Sequence, residues 1–180
     1  MTNQILIFFI WYFLITFFGL LVAPLVMRLF QNIPDHGYSV TKIVGLLIVA
    51  FVHWLLTSMG FLSNNPAGIW TAIVITSVLV IWACGKSGLN EAYQWINSNK
   101  QIVIFIEVLF FISFSFMALI RSFSPDIWGT EKPMELMFIN SILASKSFPP
   151  QDAWLSGFGI SYYYFGYVMV ALIAKITGTL

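Results

Sequence analysis

Apolar residues run through this chain in long blocks, and charged residues mark where the blocks stop. A helix needs roughly 20 apolar residues to cross about 30 Å of hydrocarbon. Ile5 to Met27, closed by Arg28, meets that length. So do Ile43 to Leu62, Gly68 to Gly85, and Ile102 to Ile120, the last closed by Arg121. A fifth block runs from Ile160 to about Gly178, but it opens with tyrosines and contains Lys175. The pattern predicts an all-α protein, a polytopic transmembrane helix bundle of about five spans.

The intervening segments predict smaller elements. Residues 31–41 read as a tight turn around Pro34 and Gly37. Leu89, Ala92, Tyr93 and Ile96 recur at helical spacing, which predicts a short interfacial helix after the third span. Between spans four and five, Pro133 suits the first turn of a helix. Met134, Met137, Phe138 and Ile142 give that helix an apolar face, and it should end before Pro149-Pro150. The chain then turns through Gly157 and Gly159 into the fifth span.

Composition agrees with the blocks. Hydrophobic residues make up 59% of the 180 and charged residues only 8%, with a mean hydropathy of +0.90. A soluble domain carries about a quarter charged residues because water must solvate its surface. This surface must face lipid. A net charge of +1 without a basic stretch excludes a nucleic-acid partner. The lone Cys84 excludes an internal disulfide and reads as an inert buried thiol. The first block lacks the basic n-region of a signal peptide and is too long for an h-region, so it is expected to stay as a span.

Charge also orients the spans. Arg28 and Lys42 flank one loop, Lys86 and Lys100 another, whereas the N-terminus and residues 63–67 carry no Lys or Arg. The basic loops should face the cytoplasm. The N-terminus and the 121–159 loop are then non-cytoplasmic, in a multi-pass protein of the cell membrane.

That outer loop holds four of the seven acids, Asp126, Glu131, Glu135 and Asp152, together with Trp128 and Trp154. The plain reading is a solvated connector. The other is chemical: an acid at a membrane surface can act as a general base or a metal ligand. Tyr162, Tyr163, Tyr164 and Tyr167 have two readings as well, an aromatic belt at the interface or the lining of an entry for a polar ligand. Glu107 and Lys175 lie within spans four and five at similar depth, and a lone charge there is expensive. They are expected to pair. His53 reads as a hydrogen-bonded packing residue, since no second His or Cys shares its helix face.

Three blocks, IPDHGYSVTKIVGLLIVAFVHWLLTSMG, PDIWGTEKPMELMFINSILAS and FPPQDAWLSGFGISYYYFGY, resemble the "YYY" family of highly hydrophobic, uncharacterised multi-pass membrane proteins. The triplet is Tyr162 to Tyr164, and His36 stands where that pattern has a basic residue. Members are several times longer, so the resemblance implies that this chain is an N-terminal portion and that the remainder of a longer polypeptide is a partner.

A more distant similarity, of layout alone, is to the GT-C glycosyltransferases. It implies that residues 101–180 begin a GT-C-like core, preceded by an N-terminal module of three spans and an interfacial helix over residues 1–100. It further implies an inverting transfer from a polyprenyl-phosphate-linked sugar, the lipid-linked donor. Asp126 would be the base and Glu131 a second acid. Arg121, Lys132, Asp152, Tyr163, Tyr164 and Tyr167 would bind substrate, with membrane lipids as neighbours and a divalent metal left open. The alternatives are a non-catalytic protein that binds or carries lipid-linked intermediates, a structural membrane subunit, and, third, a transporter. Few intramembrane polar residues and no span broken at its midplane weigh against the last.

Overall fold

The computed structural model describes residues 2–123, 126–129 and 131–179. Six helices are present among these residues: α1 (Thr2–Leu29), α2 (Thr41–Ser58), α3 (Pro66–Ser98), α4 (Lys100–Phe123), α5 (Lys132–Ala144) and α6 (Phe165–Thr177). A single 3-10 turn, Tyr38–Val40, leads into α2. The one β-type pairing among the described residues is an isolated bridge between Gln151 and Gly159. The protein is an all-α polytopic membrane protein.

Among the described residues four segments are long and apolar enough to cross a bilayer: Gln4–Leu29, Tyr38–Ser58, Pro66–Ser98 and Lys100–Phe123. The fifth apolar block behaves differently. Its helix is 13 residues long and starts at Phe165, not at Ile160, so it rises only about 20 Å. The preceding residues have their backbone groups engaged elsewhere. Ile160 N–H donates to the Pro150 carbonyl at 2.8 Å, and Tyr164 N–H donates to the Tyr162 carbonyl at 2.9 Å.

Two glycines set helix limits. Gly85 interrupts α3 with φ 61° and ψ −175°, a left-handed φ that costs a residue without Cβ little. The third span and the short helix expected after it are therefore the two parts of α3. Gly60, at φ 79°, follows α2, and Phe61 N–H turns back to the Leu56 carbonyl at 2.9 Å. That αL stop closes α2 four residues earlier than the apolar block ends.

The chain forms two compact units. The first comprises residues 1–46 and 76–125, and the second residues 47–75 and 126–180. In the first, α1 meets the start of α2 closely. A Cβ on Gly45 would lie 2.2 Å from the Phe18 carbonyl oxygen, and one on Gly19 would lie 3.0 Å from Lys42. Small residues of this kind let two backbones touch where lipid supplies no hydrophobic drive. Tyr12 of α1 stacks on Phe110 of α4 at 5.6 Å. Ala23, Met27, Tyr38 and Ala92 form a small core against Trp95, Ile96, Val103 and Ile106. No described residue of α4 is fully buried, which leaves its apolar surface for lipid.

In the second unit α5 packs against α6. Ile142, Phe148, Val168 and Ala171 form the core, and Trp54, Leu143, Tyr164 and Tyr167 pack around it.

Candidate functional site

The expected surface helix is α5, with Pro133 in its first turn and Ser145 at its end. Phe138 is buried on it and stacks on Tyr162 at 5.4 Å with an interplanar angle of 23°. Tyr167 meets the same ring at 5.2 Å. Above this stack lies an apolar cleft of about 320 Å³, walled by Met134 and Met137 of α5 and by Trp154, Leu155 and Phe158 of the loop.

Asp152 stands in the wall of that cleft. It also lines a second cavity of about 540 Å³, whose other polar groups are Ser141, Ser145, Lys146, Ser147 and Gln151, beside Ala144, Pro149 and Ala153. One residue thus borders an apolar slot and a hydroxyl-rich hollow. Asp152 Oδ1 accepts the N–H groups of Trp154 at 2.8 Å and Leu155 at 3.1 Å. Its own N–H donates to the Phe158 carbonyl at 2.8 Å. The carboxylate therefore shapes the loop that forms the cleft.

The three tyrosines of the triplet part company. Tyr162 turns onto Phe138, Tyr163 is 87% exposed, and Tyr164 faces the core. Tyr164 Oη accepts the Trp54 indole N–H at 3.0 Å, and its ring stacks on Phe148.

The other expected site residues are not among the residues that line either cavity. Asp126 and Glu131 are exposed, and neither lines the slot or the hollow. The Asp126 carbonyl accepts Lys132 Nζ at 3.3 Å. Arg121 is exposed in the last turn of α4, in the first unit. Among the described residues no three His, Cys, Asp or Glu side chains gather into a metal-binding group.

The two intramembrane charges require a correction. Glu107 does not take Lys175 as its partner. Glu107 Oε1 accepts Lys42 Nζ at 2.5 Å and the Tyr38 hydroxyl at 2.9 Å, and the Lys42 ammonium also lies 4.8 Å from the Phe110 ring centre. Lys42 stands at a loop edge in the sequence, yet it is 5% exposed. The close approach at Gly19 turns it inward.

Lys175 Nζ instead donates to the Asn64 carbonyl at 2.7 Å. Asn64 is the residue the sequence reading missed. Its Nδ2 donates to the Ile142 carbonyl at 2.6 Å and to the Ser145 carbonyl at 2.9 Å. Its N–H donates to the Lys146 carbonyl at 2.9 Å. Its Oδ1 meets His53 Nε2 at 3.2 Å, so His53 is a packing residue with a hydrogen-bond partner. Asn64 fixes the C-terminal end of α5, which is one wall of the polar hollow.

Residues 48–180 match the model of a family described as an uncharacterized membrane protein, DUF2298. The chain belongs to this family. No curated protein and no solved structure matches it. The DUF2298 match takes in Asn64, α5, Asp152 and the tyrosine triplet, whereas Tyr38 and Lys42 precede it.

Proposed function

We propose that this DUF2298 protein binds a polyprenyl-phosphate-linked sugar at the non-cytoplasmic face, with the isoprenoid in the apolar cleft and the polar head in the serine-lined hollow. The observation that carries the reading is that Asp152 borders both spaces. An amphiphile needs an apolar and a polar compartment side by side, and each of these has the volume of an ordinary ligand site. The charge pattern of the loops supports the orientation: Arg28, Lys86 and Lys100 belong on the cytoplasmic side. On this reading residues 101–180 open a GT-C-like core, and residues 1–100 are a module placed before it.

Glycosyl transfer is the second reading. Asp126 would accept the proton of the acceptor hydroxyl while that oxygen bonds to the anomeric carbon. The sugar–phosphate bond breaks with its electron pair leaving on the polyprenyl phosphate, and the configuration inverts. Asp126 and Glu131 line neither cavity, which favours binding without reaction by this segment.

Two measurements on the full-length protein in nanodiscs separate the readings. Equilibrium binding of a polyprenyl-phosphate sugar should weaken at least about tenfold when Met137→Trp fills the cleft. Unchanged binding overturns the proposal. Glycan transfer by Asp126→Asn, with binding intact, should fall at least about a hundredfold if Asp126 is the base. Full transfer by this variant leaves the protein as a binder.

A further inference from the structure

A separate cavity of about 360 Å³ lies in the first unit, where the last turn of α1 meets the turn that follows it and the part of α3 beyond Gly85. Its position sets its surroundings. Arg28 closes the apolar Gln4–Leu29 segment, and residues 86–98 are rich in polar side chains. The cavity therefore sits at the depth of lipid headgroups, where the apolar length of α1 runs out.

Its walls carry opposite charges. Arg28 Nη1 donates to the Ala83 carbonyl at 2.9 Å, which fixes the guanidinium and leaves further N–H groups of its planar fork. His36, held at φ 50°, stacks on Trp95 at 5.1 Å with an interplanar angle of 26°. Glu91 adds a carboxylate, and Gln31 and Ser98 add hydrogen-bonding groups.

We propose that this cavity binds the headgroup of a phospholipid carrying a primary ammonium, of the phosphoethanolamine type. The phosphate faces Arg28 and His36, and the ammonium donates to Glu91. A phosphate diester with one negative charge matches one guanidinium. A single arginine beside an acid holds a free anion weakly in water, so the lipid form is favoured. Its acyl chains have a path along α1, where Phe17, Leu20 and Leu29 are exposed. The site is independent of the lipid-linked sugar reading and lies in the other unit.

The test is native mass spectrometry of the full chain released from nanodiscs of equal phosphatidylethanolamine, phosphatidylcholine and phosphatidylglycerol. The wild type should retain one phosphatidylethanolamine in preference to the other two. Arg28→Gln should reduce its retention about tenfold. Glu91→Gln, at an exposed position, should keep the thermal stability and lose the preference over phosphatidylglycerol. Ser98→Trp, which fills the cavity, should abolish retention and serves if Arg28→Gln fails to fold. Equal retention of the three lipids by the wild type overturns the proposal, as does unchanged selectivity in Glu91→Gln. Full displacement by an equal concentration of soluble glycerophosphoethanolamine would show a site for a water-borne ligand and would overturn it too.

Discussion

Lys175 Nζ, near the end of α6, donates to the backbone carbonyl of Asn64 at 2.7 Å, and the side chain of that asparagine holds the last turn of α5. One short connector thereby ties together both helices that carry the candidate site. The ammonium is half-buried, and a carbonyl oxygen is a neutral partner for it. A charge held this way inside an apolar protein marks a place where the fold depends on one residue.

Asn64→Ala should be among the most damaging single changes in the second unit. It leaves the Ile142 and Ser145 carbonyls and His53 Nε2 without their partner. Each buried polar group so orphaned costs roughly 1–3 kcal/mol. Thermal unfolding in detergent should show a loss on the order of 3 kcal/mol, and a loss below about 1 kcal/mol would mean that the hub does not hold α5.

The Lys42–Glu107 pair makes a prediction of sign. Lys42→Met alone and Glu107→Leu alone each strand one charge, at a cost on the order of 3 kcal/mol. The double variant should be more stable than either, because replacing both charges removes the desolvation penalty along with the attraction. A double-mutant cycle in detergent measures this. Simple additivity would contradict the pairing.

Asp35 supplies a pH test outside the spans. Partial burial raises its carboxyl, but hydrogen bonds from the Ser39 side chain and from the Ser39 and Gly37 N–H groups outweigh that and hold it below its ordinary value. A depressed carboxyl contributes stability above its unfolded pKa of about 4 and loses it as pH falls through the folded pKa. Asp35→Asn should unfold with a flatter pH dependence below about pH 4 than the wild type. Parallel curves would remove Asp35 from the account.

The tyrosine triplet predicts unequal responses to loss of a hydroxyl. Tyr164→Phe removes the acceptor of the Trp54 indole N–H and should cost about 1 kcal/mol. Tyr163→Phe, at an exposed position, should stay within about 0.5 kcal/mol of the wild type. A loss in Tyr164→Phe no larger than that in Tyr163→Phe would remove the Trp54 hydrogen bond from the account.

The spans were legible because each apolar residue in a run of 20 adds to one signal, and Pro133 announced the first turn of α5. The pairing of charges was not legible. Whether Lys42 turns toward solvent or toward Glu107 depends on how far α2 rotates about the contact at Gly19 and Gly45, which no local pattern records. Asn64 was hidden for another reason: its SNNP neighbourhood has the composition of any turn, and four of its five bonds exist only once α5 and α6 have come together. The start of α6 was misplaced because Tyr162 to Tyr164 suit an interfacial helix and an extended lead-in equally well. Asp152 was read as a chemical group, and the structure adds its bonds to Trp154 and Leu155, which shape the cleft.

The central proposal is that the spaces on either side of Asp152 hold one amphiphile. Photo-crosslinking reads it directly: a polyprenyl-phosphate sugar carrying a photoreactive group on the isoprenoid, added to the full-length protein in nanodiscs, with the labelled peptides mapped. The account predicts label on α5 and on residues 152–162, and its loss in Met137→Trp. Label confined to α1 through α4, or undiminished in that variant, would contradict it.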